Sequence, residues 1–220
     1  IPTYNESENI DLMIETIFSI SDHTHILIVD DSSPDSTADF VRRLQDNYKE
    51  RLFLLERKEK KGLGTAYIEG FKWGLTKSYQ YFFQMDCDFS HNPNDLIRLY
   101  SALVNQNLDL CIGSRYIAGI NVVNWPLSRV LLSYFASFYV RLITRMSIKD
   151  PTAGYKIYRR AVLEAIPLDS VEFVGYTFQI EMKFRTWKKN FKIMELPIVF
   201  KDRERGVSKL NSSIIKEAVF

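Results

Sequence analysis

The sequence predicts an α/β protein built on a mainly parallel, doubly wound sheet with helices on both faces. Two observations carry that reading: short apolar runs alternate with amphipathic stretches along the chain, and several of those runs stop at a polar or acidic turn. The 220 residues, 46% hydrophobic and 14% aromatic, are enough to build the core of one such domain. No linker, internal repeat or low-complexity tract divides the chain, so residues 1–210 read as a single domain.

The elements follow in order. Ile1 to Glu6 reads as the end of a strand whose start precedes Ile1. Ile10, Met13, Ile14, Ile17 and Phe18 predict a helix over 7–20, with Asn5 and Glu8 spaced as a capping box. His25 to Val29 is a strand, Asp30 to Ser36 an acidic turn, and 36–48 a helix. Leu52 to Leu55 is a third strand, after which Gly62 and Gly64 open a helix to about Ser78. Gly-X-Gly without a third glycine or a Gly-Lys-Ser/Thr end is a weak phosphate-loop signal, and close helix packing is the preferred role. Further strands are expected at Tyr81 onward, Leu108–Gly113, Tyr155–Tyr158 and Phe191–Phe200, with helices at 93–105, 161–166 and 176–189. Pro197 suggests an edge or a strand end.

Charge and cysteine usage exclude several classes. A net charge of +2, from 29 basic and 27 acidic residues, provides no bulk field for nucleic acid. The two cysteines, Cys87 and Cys111, lie in or beside apolar runs, as reduced, buried thiols do in a cytosolic setting. The three histidines, His23, His25 and His91, have no zinc spacing with them.

Chemistry concentrates where an apolar run ends at Asp86-Cys87-Asp88. Two carboxylates one residue apart at the carboxyl end of a strand point to one side, at the edge where open α/β sheets bind ligands. Their hard oxygens suit Mg²⁺ or Mn²⁺, although Asp-X-Asp alone is more readily a loop or a helix cap. Arg115, after the next strand, falls on the same edge if the strands are parallel, a position that favours an anion contact over a surface salt bridge.

The segment 127–146 differs in character. Arg129, Ser133, Ser137, Arg141 and Arg145 recur every four residues, so on a helix they wind slowly, about 40° per step, through a broad apolar surface. A buried core helix and a helix lying in a membrane interface both fit; a membrane span does not, because the arginines interrupt the apolar run. Residues 202–210 form a charged loop, and 211–220 begin a second amphipathic helix.

Taken together, these stretches resemble the polyprenol-phosphate (dolichol-phosphate) mannosyltransferases of glycosyltransferase family 2. The resemblance is carried by Ile1-Pro2-Thr3-Tyr4-Asn5-Glu6, Val29-Asp30-Asp31-Ser32-Ser33-Pro34-Asp35, Gly62 through Phe71, Met85-Asp86-Cys87-Asp88, Gly113-Ser114-Arg115-Tyr116, Asn124 through Arg129, and Asp202-Arg203 through Lys209-Leu210. It implies a GT-A fold, with amphipathic interfacial helices, that transfers mannose with inversion from GDP-mannose to a polyprenyl (dolichyl) phosphate with the help of Mg²⁺ or Mn²⁺. By that resemblance Pro2, Tyr4 and Glu6 face the nucleoside, Val29 and Asp31 the base and ribose, and Asp86, Cys87 and Asp88 the metal and diphosphate. Ser90 stands where some members place a glutamine metal ligand, with water as the alternative. Arg115, Arg129, Arg203 and Lys209 match phosphate-binding cations, Arg115 and Arg129 serving the acceptor phosphate and, with Asp86 and Asp88, catalysis; Arg205 has no counterpart. A peripheral location on the cytoplasmic face of a membrane is implied, with an anchoring subunit or a membrane segment beyond Phe220 as options. The alternatives are a UDP-sugar donor such as UDP-glucose, a nucleotide-sugar pyrophosphorylase, which lacks its early glycine-rich basic loop here, and a non-catalytic nucleotide-binding module.

Overall fold

The structure, a computed structural model, describes residues 1–203. The predicted second helix over 211–220, Arg205, Lys209 and most of the charged loop lie outside the described residues. The elements run β1 (Pro2–Thr3), α1 (Ile10–Ile20), β2 (Ile26–Asp30), α2 (Thr37–Gln45), β3 (Leu52–Glu56), α3 (Leu63–Leu75), β4 (Tyr81–Gln84) and α4 (Asp95–Asn105). They continue with β5 (Leu110–Ser114), β6 (Val122–Val123), α5 (Leu127–Thr144), β7 (Lys156–Arg159), α6 (Arg160–Ala165), α7 (Thr177–Lys188), β8 (Ile193–Pro197) and β9 (Phe200–Lys201).

Strands β1, β2 and β3 pair in parallel, and a second sheet has the order β4-β7-β5-β8. β7 runs antiparallel to both β4 and β5, while β8 is parallel to β5. The parallel expectation therefore holds except at β7. Because β7 opposes both neighbours, β4 and β5 point the same way, and their carboxyl ends share one edge. The two-residue strands β6 and β9 pair separately and in parallel.

Alternation along the central strands divides the core into two layers. Cys111 and Ile157 join residues of α1, α2 and α4, including Ile14, Val41 and Leu99. Leu110, Ile112 and Tyr158 face the other way, toward Phe71 of α3, Val162 of α6 and Phe178 of α7. Period-two strands covered on both faces produce this arrangement. Close packing at Gly64 is visible: a Cβ there would stand 2.7 Å from the Phe173 carbonyl oxygen and 2.9 Å from the Phe178 Cβ. The predicted capping box is not formed. Asn5 has a φ of 54° and its N–H donates to the Ser33 hydroxyl, while α1 begins after Asn9, whose side-chain amide donates to Glu6.

Helix α5 overturns the buried-core alternative. Its only buried residues are Ser137 and Val140, whereas Leu127, Phe135, Leu142 and Ile143 are 71%, 61%, 67% and 61% exposed. The polar stripe is what faces the protein: the Tyr116 hydroxyl donates to Ser133 Oγ, and Arg129 pairs with Asp202. The helix is thus amphipathic with its apolar side turned outward.

Candidate active site

A cleft of about 1190 Å³ lies over the carboxyl ends of β1, β2, β4 and β5. It brings together most of the residues the sequence singled out: Pro2, Tyr4, Glu6, Asp31, Asp86, Cys87, Asp88, Ser90, Arg115, Arg129 and Arg203 all line it. Val29 does not. It sits inside β2, 2% exposed, opposite Pro2 in register, and its Cγ2 approaches Gly70, so its side chain belongs to the packing beneath the cleft.

The two acids follow β4 by two and four residues, beyond the last ladder pair at Gln84, and alternation sends the intervening Cys87 into the core layer of α1 and α4. Asp86 Oδ1 accepts a hydrogen bond from the Tyr67 hydroxyl at 3.1 Å. Burial first, and then the neighbouring Asp88 charge, push the Asp86 carboxyl up to about 6. Asp88 goes the other way: burial opposes ionisation, but Arg203 and the Ser90 hydrogen bonds outweigh it and hold the carboxyl below its usual range. Ser90 N–H donates to Asp88 Oδ1 at 3.1 Å, and Arg203 Nη2 lies 2.7 Å from Asp88 Oδ2 and 3.8 Å from Glu6 Oε1. Arg203, assigned by resemblance to phosphate, therefore stands against Asp88, which the same resemblance assigns to the metal.

This donor set fits Mg²⁺ or Mn²⁺. Two half-buried carboxylates supply hard oxygens, burial and then the like-charged Asp88 raise the Asp86 carboxyl so that a cation would favour its ionised form, and a guanidinium already stands in for a cation on Asp88. No group of three His, Cys, Asp or Glu residues among the described residues is placed to hold a metal ion, so a cation at Asp86 and Asp88 would need ligand or water oxygens as well.

The cations differ in their partners. Arg115 is buried and held edge-on by Asp150, with Nε 2.8 Å from Oδ2 and Nη2 2.6 Å from Oδ1, and Nη2 also donates to Thr152 Oγ1 at 2.6 Å. The sequence favours an anion contact for Arg115 over a surface salt bridge; the structure shows a salt bridge, and a buried one. Arg129, in the first turn of α5, places Nη1 3.0 Å from both Asp202 oxygens and lies over the Trp125 ring at 4.1 Å. That pair is about one-third exposed and opens to the cleft mouth.

Several residues escaped the sequence reading. Arg57 Nε meets Asp31 Oδ1 at 2.8 Å, and its Nη1 donates to Thr65 Oγ1, joining β3, the acidic turn after β2 and the start of α3. Lys60 lies over the Tyr4 ring at 3.9 Å. Lys156 and Lys183 are fully buried behind the cleft floor. A lysine inside the apolar run Tyr155–Tyr158 was the available signal for Lys156. His91, packed on Tyr155 and Phe200, is pushed down to about 4 by burial and stays neutral.

An open α/β sheet with paired acids and clustered arginines over one strand edge is an arrangement suited to a phosphorylated ligand, and the comparisons with known proteins identify the class. Residues 1–166 match the glycosyl transferase family 2 profile, and the chain belongs to that family. It is 46% identical to the polyprenol monophosphomannose synthase of Mycolicibacterium smegmatis, across the whole chain and 83% of that protein. To the undecaprenyl-phosphate mannosyltransferase of Micrococcus luteus it is 43% identical, across the whole chain and 89% of that protein. Among solved structures, glucosyl-3-phosphoglycerate synthase from Mycobacterium tuberculosis, in complex with Mn²⁺, UDP-glucose and phosphoglyceric acid, superposes with a TM-score of 0.73 at 14% identity, covering 99% of this chain and 73% of that one. That likeness establishes the shared fold.

Proposed function

We propose that the protein transfers mannose from GDP-mannose to a polyprenyl monophosphate at a membrane surface, with inversion at the anomeric carbon. The observation that carries this reading is the placement of α5: its first turn puts Arg129 on the cleft that holds Asp86 and Asp88, while its apolar side faces outward. A lipid phosphate whose chain rests in the headgroup region would enter beside Arg129. The names of the two bacterial relatives support both the sugar and the acceptor class. The peripheral reading is also compatible with the described helices, none of which is long and apolar enough to cross a membrane.

Pro2, Tyr4, Glu6 and Asp31 would receive the nucleoside, with Arg57 fixing the Asp31 carboxylate. Asp86 and Asp88, with Ser90 beside them, would hold Mg²⁺ or Mn²⁺, as the Mn²⁺ in the family's structural neighbour supports. The metal when bound would neutralise diphosphate charge and stabilise the departing GDP. Occupation of Asp88 would release Arg203 toward the phosphates, where Lys209 is also expected. Arg129 would exchange Asp202 for the acceptor phosphate, bringing two anions together without repulsion. Arg115, neutralised by Asp150, would offer its remaining guanidinium edge and shape the wall. The phosphate nucleophile is already anionic, so no histidine base is needed, in keeping with a neutral, packed His91.

Incubation with GDP-mannose, Mn²⁺ and a short polyprenyl phosphate tests the reading. The expected product is a β-linked polyprenyl phosphate mannose with one GDP released per transfer; an α-linked product overturns inversion.

A further inference from the structure

Two lysines with no exposed surface lie behind the cleft floor, one on β7 and one on α7. Lys183 Nζ donates to the Pro151 carbonyl oxygen at 2.8 Å and to that of Ala153 at 2.6 Å. Lys156 Nζ donates to the same Ala153 oxygen at 3.1 Å and to Gln179 Oε1, which also accepts from Gln84 Nε2. Burying two lysine amines side by side is costly, and an apolar side chain would fill either space at less expense to the fold. Their hydrogen bonds converge on one short turn, 151–154.

That turn is oriented by them. All described peptide bonds are trans, so a carbonyl drawn toward the lysines sends the N–H of the same peptide the opposite way. The peptides concerned are Pro151–Thr152 and Ala153–Gly154. Neither lysine lines the cleft, whereas Thr152, Ala153 and Gly154 do. Among the described residues the Thr152 and Gly154 N–H groups have no hydrogen-bond partner. A Cβ added to Gly154 would lie 3.4 Å from Asp86 Oδ2 and 3.5 Å from His91 Cε1, which places this backbone beside the metal-site acid.

We propose that Lys183 and Lys156 are positioning residues that hold the 151–154 turn with the Thr152 and Gly154 amides aimed into the cleft, as a cradle for a phosphate oxygen of a nucleoside diphosphate. The inference rests on the nucleotide-sugar reading of the cleft. It adds a backbone anion site to the side-chain cations, next to Asp86, so that one diphosphate oxygen can meet both the cradle and the metal position. Oriented backbone donors need no reorganisation when charge develops on the leaving group.

The experiment compares Mn²⁺-supported GDP and UDP binding with guanosine and uridine binding by calorimetry, in wild type, Lys183→Met and Gly154→Ala. Gly154 has no positive φ and its added Cβ meets neighbours at ordinary contact distance, so the second variant folds even where the first does not. The cradle predicts a loss of about tenfold or more in affinity for the diphosphate wild type prefers, the equivalent of one charge-assisted hydrogen bond, with nucleoside affinity and affinity for Mn²⁺ alone unchanged. Equal losses for nucleoside and diphosphate mark a purely structural role and overturn the proposal, as does unchanged diphosphate binding in Gly154→Ala. Wild type that binds neither diphosphate overturns this proposal together with the nucleotide-sugar reading.

Discussion

Removing apolar side chains from the outward face of α5 should detach the protein from lipid without unfolding it. Phe138 and Leu142 sit one helical turn apart, 55% and 67% exposed, and neither lines the cleft. Full burial of such a side chain is worth about 2.5 kcal/mol; scaled by the exposed fractions, the pair should lose about 3 kcal/mol of membrane contact on mutation to alanine. That corresponds to roughly 100- to 200-fold weaker partitioning into anionic phospholipid vesicles. Sedimentation with vesicles measures it, and thermal melting in their absence should barely move, because the removed atoms touch water in the isolated protein. Unchanged vesicle binding, or a fall in stability of several kcal/mol, would refute the reasoning: the first denies the membrane face, the second makes α5 a core helix.

Three further outcomes follow from the site. Asp88→Asn removes one of two paired carboxylate charges and should abolish Mn²⁺-dependent enhancement of GDP binding in calorimetry; retained enhancement would remove the metal role. Burial and then the Asp88 charge push the Asp86 carboxyl up to about 6 from 3.8 for an ordinary aspartate, so folding of the metal-free protein gains from this group at low pH and loses that gain as pH rises through about 6. A divalent ion needs the ionised form, so Mn²⁺ affinity should fall below about pH 6, by up to about tenfold per unit, and a flat profile would contradict the assignment. Asp150→Ala leaves the buried Arg115 guanidinium unpaired beside the buried Lys183, and denaturant unfolding should register a loss of about 3–5 kcal/mol.

The elements were legible because each announces itself locally. Helical spacing of Ile10, Met13, Ile14, Ile17 and Phe18 marks α1, and apolar runs ending in acids mark β2 and β4. Strand direction is not a local property, so antiparallel β7 between β4 and β5 could not be read. The same holds for partners far apart in sequence: Arg115 could be placed on the correct edge, but the bidentate grip of Asp150, 35 residues on, depends on the tertiary fold. The stripe of polar residues on α5 was visible, yet periodicity alone leaves open which side meets the protein. Packing of Ser137 and the Tyr116–Ser133 hydrogen bond settles that question. Asp86, Asp88 and Arg115 are legible from their strand-end positions and the other site residues from resemblance; the structure gathers them into one cleft except for Val29, which a strand interior withholds, and Lys209, outside the described residues.

The central claim is most directly tested by a donor competition: GDP-mannose and UDP-glucose at equal concentration, with one short polyprenyl phosphate and Mn²⁺, and lipid products separated by mass. The account predicts polyprenyl phosphate mannose as the dominant product, with GDP release matching it. Glucose on the lipid with no mannose product would contradict it.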